Sequence, residues 1–214
     1  MRQNAERLII VGTRDHQVRG HLKTDPEERG QAGNERRVMV AESTDNGVSW
    51  HLLSEIPSDG ASAGQLCEPH LVEGADGILR CYVRNVNLQY AESSDGGRTW
   101  SNLKPTSIAC WDSPAHLMRL RDGRVLMTCA RRIGWSVAAD KAEGRKTCAY
   151  ALLGDANGSL ESFEAAKEIP LYFTPNSDMG YASTAQTSDG SLVTVLYSHH
   201  CGGVALVVAV KWGL

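Results

Sequence analysis

One eight-residue turn occurs twice in this chain of 214 residues, and it restricts the possible fold more than any other feature. The two copies read "STDNGVSW" at 43–50 and "SSDGGRTW" at 93–100, and Ala-Glu precedes each of them. Asp, Asn and Ser side chains cap backbone N–H groups in tight turns, and Gly adopts the positive φ that other residues resist. The flanking segments are rich in apolar and β-branched residues. Each copy therefore predicts a β-hairpin.

A second repeated element is an Asp-Gly pair followed by an apolar run. It reads "DGILRCYVR" from Asp76, "DGRVLMTCARR" from Asp122 and "DGSLVTVLYS" from Asp189. Asp-Gly between apolar runs is a strong hairpin signal. The two elements alternate, so the chain reads as four strands in a period of roughly fifty residues, which is typical of a propeller blade.

A third, decayed copy of the longer turn lies in "ALLGDANGSLESF", where Asp155 keeps the acidic residue and Phe163 replaces the Trp. The apolar spacing within 160–169 also permits a short helix, interpreted as an insertion on the third blade. The predicted fold is an all-β propeller in one domain, 1–214. Its expected blades are 7–57, 64–104, 113–169 and 180–212.

This prediction carries three structural expectations. We expect almost no helix, four consecutive antiparallel sheets, and Trp50 and Trp100 largely buried beside their turns.

Composition excludes several classes of protein. Hydrophobic residues make up 42% of the chain and the formal net charge is −3, so a large core is possible and no strong field for nucleic acid exists. No apolar run approaches the length of a membrane span, and no secretory signal is visible at the start of the given sequence.

The cysteine and histidine residues do not suggest a metal site. The six cysteines include no Cys-x-x-Cys pair and are expected to be buried free thiols. Adjacent residues on a strand point to opposite faces, so "SHHC" at 198–201 is not expected to hold a metal. We expect no metal and no cofactor.

The longer turn resembles the Asp-box of the sialidase (neuraminidase) superfamily, whose fold is a six-bladed β-propeller. In that family the box lies at the rim, away from the catalytic face. The resemblance extends between the boxes and covers nearly the whole chain. "EPHLVEGADGILRCYVRN" resembles the segment in which a catalytic Glu precedes an Arg that binds the substrate carboxylate, which implies those roles for Glu68 and Arg84. "MGYASTAQTSDGSLVTVLYS" likewise places Tyr181 at the position of the nucleophile.

These residue types suit the chemistry that the resemblance implies. Sialic acid carries a carboxylate beside its anomeric carbon, so a neutral Tyr181 hydroxyl avoids the repulsion that a carboxylate nucleophile would meet. Glu68 would take the proton from the hydroxyl, and Arg84 with a second guanidinium would clamp the substrate carboxylate. The alternative is structural: Glu68 and Arg84 would form an ordinary cross-strand ion pair, and Tyr181 would pack between blades.

Two assignments stay open. The further clamp arginine is Arg145 or Arg132, and the acid that protonates the leaving group is Asp25 or Asp15. The first visible blade is either the third blade of a six-bladed parent whose N-terminal blades are missing, or a degenerate first blade.

Two functions follow from these assignments. One is an exo-glycosidase acting on sialic acid or a related acidic sugar, impaired in this chain. The other is a non-catalytic propeller that binds glycans or mediates interactions.

Overall fold

The described part of the chain forms four antiparallel β-sheets and one short α-helix. This computed structural model describes residues 7–17, 34–58, 66–110, 113–132, 147–174, 178–199 and 204–214. The strands of each sheet follow one another in chain order, so every sheet is a simple meander. The expected all-β architecture with almost no helix is confirmed.

The four sheets are numbered here in chain order. Sheet I contains β1 Leu8–Gln17, β2 Asn34–Ser43 and β3 His51–Ile56. Sheet II contains β4 Cys67–Glu73, β5 Leu79–Arg84, β6 Asn87–Ser93 and β7 Lys104–Ala109. Sheet III contains β8 His116–Arg119, β9 Val125–Arg131, β10 Cys148–Leu153 and β11 Ile169–Phe173. Sheet IV contains β12 Met179–Gln186, β13 Leu192–His199 and β14 Ala205–Trp212. Sheets II and III run past the expected limits at 104 and 169 because β7 and β11 each add a fourth strand.

The short helix α1, Leu160–Ala165, lies between β10 and β11 in the segment whose apolar spacing permitted it. Ser159 caps its first turn by accepting a hydrogen bond from the Ser162 backbone N–H. Phe163 is fully buried on its inner side, in the core between sheets II and III. The residue that replaces the Trp of the box therefore serves as a core residue.

The two complete box turns have the same internal hydrogen bonds. Asp45 accepts from the Ser49 backbone N–H at 2.9 Å and from the Ser49 hydroxyl at 2.6 Å. Asp95 accepts from the backbone N–H and the hydroxyl of Thr99 at the same two distances, 2.9 and 2.6 Å. The hydrogen bond from the Ser49 side chain is the main cause that lowers the pKa of Asp45 to about 2. The repeat is thus a turn stabilised by hydrogen bonds to its Asp side chain, as its residue types predicted.

The prediction that both box tryptophans are largely buried is wrong for Trp50, which is 40% exposed. Each indole N–H donates to a Gly carbonyl of its own turn, at 3.1 Å for Trp50 and 3.0 Å for Trp100. Trp100 is half-buried because it also packs against sheet I, where its indole N–H contacts the Ser54 hydroxyl at 3.2 Å. Sheet I is the first sheet among the described residues, so Trp50 has no preceding described sheet against which its indole could pack.

Consecutive sheets pack face to face through separate apolar clusters. Val38 and Val40 of sheet I pack with Cys81 and Val83 of sheet II. Tyr82 of sheet II lies in the cluster shared with sheet III, and its hydroxyl donates to the Gly158 carbonyl at 2.9 Å. Two smaller clusters join sheets III and IV. This packing of one small sheet on the next is typical of propeller blades.

The first strands of the sheets lie side by side, β1 beside β4, β4 beside β8 and β8 beside β12. Two histidines join three of these strands. His70 Nδ1 on β4 accepts from the Leu117 backbone N–H, and His116 Nδ1 on β8 accepts from the Thr184 backbone N–H, both at 3.4 Å. These contacts hold the first strands of sheets II, III and IV beside one another.

Five cysteines lie in the described residues and all are free thiols, in agreement with the prediction. Four of them are buried and Cys67 is half-buried, whereas Cys201 lies outside the described residues. No helix in the described part is long and apolar enough to cross a membrane.

Candidate active site

Glu68 and Tyr181 occupy irregular positions near the beginnings of β4 and β12. The register of β4 against β5 shifts between Cys67 and His70, and that of β12 against β13 shifts between Gly180 and Ser183. Glu68 has φ 43° and Tyr181 has φ 56°, in the left-handed region that non-glycine residues rarely occupy. Such irregularities turn a side chain away from its regular direction and are enriched beside active sites.

These two distortions bring the side chains together. The Tyr181 hydroxyl donates to Glu68 Oε1 at 2.6 Å. Arg84, the last residue of β5, donates from Nη1 to Glu68 Oε2 at 2.7 Å and to the Tyr181 hydroxyl oxygen at 3.2 Å. The Tyr181 hydroxyl thus lies between a base that can take its proton and a cation that can stabilise its oxygen as negative charge develops.

The group is open to solvent. Tyr181 is 47% exposed, although it carries a large aromatic ring. Burial of the hydroxyl is the largest influence that raises the pKa of Tyr181, followed by the hydrogen bond to Glu68, while the charges of Arg84 and Arg132 lower it. In the resting state the side chain is therefore a neutral phenol that can be reached from outside.

Arg132 is the second arginine at this end of the sheets. It follows β9 directly, is only 4% exposed, and its Nε donates to the Met179 carbonyl at 2.7 Å. Its Cζ lies 5.6 Å from the centroid of the Tyr181 ring. A Cβ on Gly180 would lie 2.9 Å from Arg132 Nη2, so the glycine makes room for the guanidinium against β12.

The structure describes only part of the predicted site. Glu68, Arg84, Arg132 and Tyr181 meet at one end of sheets II to IV. Three predictions lie outside the described atoms: Asp25, Arg145, and the side chain of Asp15, whose backbone belongs to β1.

The prediction that the chain holds no metal concerns its His, Cys, Asp and Glu side chains in general and the "SHHC" run at 198–201 in particular. Within the described residues, no group of three or more His, Cys, Asp or Glu side chains could hold a metal ion. His199 of the "SHHC" run is described, whereas 200–201 are not.

Sequence reasoning missed Tyr197 and Gly180. The Tyr197 hydroxyl accepts from Arg132 Nη2 at 2.9 Å, and its ring lies 5.9 Å from that of Tyr181. A spacing signal for Tyr197 exists, because it stands eight residues after Asp189 just as Arg84 stands eight residues after Asp76. Equivalent strands thus bring Arg84 and Tyr197 to the same end of their sheets.

Comparisons with known proteins agree with this fold. The sequence profile described as BNR repeat-like domain matches residues 19–195. A protein of unknown function from Dyadobacter fermentans superposes with a TM-score of 0.76 at 20% identity, covering 97% of this chain and 50% of that protein. An ulvan lyase, a polysaccharide lyase, gives 0.58 at 12% identity, covering 98% of this chain and 53% of the lyase.

A sialic acid enzyme is also among the similar structures. The intramolecular trans-sialidase of a leech gives a TM-score of 0.57 at 18% identity, covering 82% of this chain and 27% of that enzyme. No curated protein matches the chain in sequence.

This chain spans about half the length of the first two similar structures, 50% and 53%. The profile match at 19–195 covers most of the chain and includes both complete box turns. The chain therefore belongs to the BNR repeat-like domain family.

Proposed function

We propose that this chain carries the nucleophile half of a sialidase-like exo-glycosidase, which hydrolyses a terminal sialic acid or a related acidic sugar. The observation that carries the proposal is the Tyr181 hydroxyl, held 2.6 Å from Glu68 Oε1 and 3.2 Å from Arg84 Nη1. The backbone at both Tyr181 and Glu68 is in a conformation that costs energy, and such a cost persists at sites where the geometry serves a purpose.

The proposed reaction has two steps. The Tyr181 oxygen attacks the anomeric carbon, the bond to the leaving oxygen breaks, and the phenolic proton passes to Glu68. Water then attacks the anomeric carbon and releases the tyrosine. Glu68 returns its proton to the tyrosine oxygen, and the water gives one proton to the solvent, which replaces the proton that the leaving oxygen takes up.

Arginine side chains would hold the acidic sugar in this scheme. Arg84 is placed to contact a carboxylate beside the anomeric carbon, because its Nη1 already lies next to the attacking oxygen. Arg132 Cζ lies 5.6 Å from the centroid of the Tyr181 ring, and Arg132 is one candidate for the further clamp arginine. Arg145 remains the other candidate.

The architecture that we propose for the complete site is a six-bladed propeller, of which sheets I to IV are four blades in the single domain 1–214. In support, this chain covers 50% of the length of the similar Dyadobacter protein. Further blades would close the ring and contribute the remaining clamp arginine. In this architecture the acid that protonates the leaving group lies on one of those further blades, whereas Asp25 is the candidate acid under the alternative in which sheet I is a degenerate first blade.

The test uses two substrates that differ in leaving group. We expect the purified chain to release the phenol from an aryl sialoside, because a phenolate leaves with little help, and to cleave sialyl-lactose poorly. A positioned general acid contributes typically ~10²–10⁴-fold, and an alkoxide depends on it. Tyr181→Phe should abolish turnover of the aryl sialoside, whereas Tyr172→Phe on the edge strand β11 should not.

Three results would overturn parts of the proposal. Turnover that survives in Tyr181→Phe would remove Tyr181 as the nucleophile. Binding of a sialoside without any turnover would replace the enzyme with a glycan-binding propeller. Steady cleavage of sialyl-lactose that is lost in Asp25→Asn would instead show that the acid is present in this chain.

A further inference from the structure

A chain of hydrogen bonds runs from Arg132 away from the Tyr181–Glu68 pair. Arg132 Nη2 donates to the Tyr197 hydroxyl oxygen at 2.9 Å, and the Tyr197 hydroxyl donates to Asp178 Oδ1 at 2.5 Å. The other oxygen of Asp178 lies 3.3 Å from His199 Nε2. Burial, followed by the hydrogen bond to Asp178, raises the pKa of Tyr197 to about 12. Tyr197 is therefore a neutral phenol that accepts from a cation and donates to an anion.

The Arg132 guanidinium fills a slot that the backbone of β12 provides. Its Nε donates to the Met179 carbonyl at 2.7 Å. At Gly180 a Cβ would lie 2.9 Å from Nη2 and 2.8 Å from Ser113 Oγ, so any larger residue would push the guanidinium out of the slot. A buried cation needs acceptors to offset the water it has lost. The Tyr197 hydroxyl supplies one and links the cation to the carboxylate of Asp178.

This arrangement sets the distance between Arg132 and the proposed nucleophile. Arg132 Cζ lies 5.6 Å from the ring centroid of Tyr181 and 5.8 Å from that of Tyr197. The two rings are 5.9 Å apart, so the guanidinium lies close to both. A cation near an aromatic ring is attracted to it electrostatically, and a fixed cation also favours the ionised form of a nearby phenol.

We propose that Tyr197 and Asp178 are positioning residues, which hold the Arg132 guanidinium against the Tyr181 ring so that negative charge can develop on the Tyr181 oxygen during attack. The inference rests on the proposed function in one respect, namely that Tyr181 is the reacting phenol. Neither residue touches the Tyr181 oxygen in the contacts above. They act through Arg132.

The expected consequence concerns the ionisation of Tyr181. The groups that act on it are Glu68 and burial, which raise its pKa, and Arg84 and Arg132, which lower it. Tyr197→Phe removes the hydroxyl that accepts from Arg132 Nη2 and links it to Asp178, so the guanidinium is held less firmly. The pKa of Tyr181 should then rise further, because one of its two stabilising cations has moved.

The experiment measures this ionisation directly, without substrate. Tyrosine rings are labelled with ¹³C at Cζ, Tyr181→Phe assigns the Tyr181 signal, and its chemical shift is followed against pH. Tyr197→Phe should raise the pKa of Tyr181. Asp178→Asn, which keeps the size of the side chain and an acceptor oxygen, should raise it less. Tyr172→Phe on β11 is the matched control and should leave it unchanged.

Kinetics with an aryl sialoside add a second measure. Misplacement of a supporting group by about 1 Å can cost ~100-fold in rate. We expect Tyr197→Phe to lower kcat by up to that factor and to change KM much less, because the interaction strengthens as charge develops.

The two proposals can fail separately. If the pKa of Tyr181 is the same in wild type, Tyr197→Phe and Asp178→Asn, the positioning role is wrong whatever the kinetics show. If the wild type cleaves no sialoside, the proposed function fails and the titration still decides the positioning role. If Tyr197→Phe does not fold, the titration of Asp178→Asn decides the positioning role.

Discussion

Glu68 and Tyr181 are 113 residues apart in the chain, yet their side chains form a 2.6 Å hydrogen bond and both have a left-handed backbone conformation. Each lies at a break in the register of the first strand of its sheet. The only other non-glycine residue with positive φ in the described chain is Asn46, in a turn, where Asn is well tolerated. The two strained positions thus coincide with the proposed catalytic pair.

This coincidence predicts an unusual order of stability. At an ordinary strand position Gly is less stable than Ala, but at positive φ the order reverses. We expect the free energy of unfolding of Tyr181→Gly to be about 1 kcal/mol higher than that of Tyr181→Ala. Urea denaturation measures the difference. Glu68→Gly should likewise be more stable than Glu68→Ala. At the control position, Tyr172→Gly should be less stable than Tyr172→Ala. If Tyr181→Gly is also less stable than Tyr181→Ala, the backbone at Tyr181 is not strained.

His70 and His116, which join the first strands of sheets II to IV, should make the fold less stable in mild acid. Burial, with a smaller effect from the neighbouring His116, lowers the pKa of His70 to about 4, and burial also lowers the pKa of His116. The unfolded chain binds a proton near pH ~6.5 and the folded chain does not, so folding is progressively opposed as the pH falls from ~6.5 towards 4. The free energy of unfolding should therefore fall over this range.

Thermal unfolding against pH tests this prediction. His70→Gln keeps an acceptor for the Leu117 N–H but cannot gain a proton, so its pH dependence should be flatter than that of the wild type. His51→Gln, at an exposed histidine, is the control. A wild-type profile in His70→Gln would mean that His70 does not set the acid sensitivity.

The Tyr82 hydroxyl makes a polar contact between sheets II and III, and its removal should lower the free energy of unfolding. Its buried hydroxyl donates to the Gly158 carbonyl in the decayed third box. Tyr82→Phe leaves that carbonyl without this donor in an apolar cluster, which should cost about 1–3 kcal/mol in the free energy of unfolding. Urea denaturation measures it, with Tyr172→Phe as the control. A loss no larger than in the control would show that water replaces the hydroxyl.

The parts of the fold that could be predicted from the sequence depend on local interactions. The box turns and Asp-Gly hairpins carry their own hydrogen-bonding residues, so their strands follow directly. The exposure of Trp50 could not be predicted, because the cover of a box tryptophan comes from the preceding sheet. Phe163 was recognised as the substitute for Trp, since it keeps the apolar character.

The candidate site was only partly predictable. Glu68, Arg84 and Tyr181 were found by resemblance, and the structure brings them together. Their positive φ gave no signal, because Glu and Tyr are not residues that favour this conformation. Arg131 and Arg132 are adjacent, so the sequence alone does not show which of them reaches the site. In the structure β9 ends at Arg131, and Arg132 donates to the Met179 carbonyl. Tyr197 had only its spacing after Asp189 as a signal, and Asp178 had none, because its role depends on contacts between separate segments.

The most direct test of the central claim is to trap the proposed tyrosyl intermediate. A sialic acid derivative with a fluoride leaving group and a second fluorine at C3 reacts at the nucleophile and then hydrolyses slowly, because the electron-withdrawing fluorine destabilises the positive charge of both transition states. We predict that mass spectrometry finds one sugar attached to the peptide containing Tyr181. Labelling should be lost in Tyr181→Phe, slow by roughly 10²–10⁴-fold in Glu68→Gln, and unchanged in Tyr172→Phe. A label on another residue, or none at saturating reagent, would contradict the account.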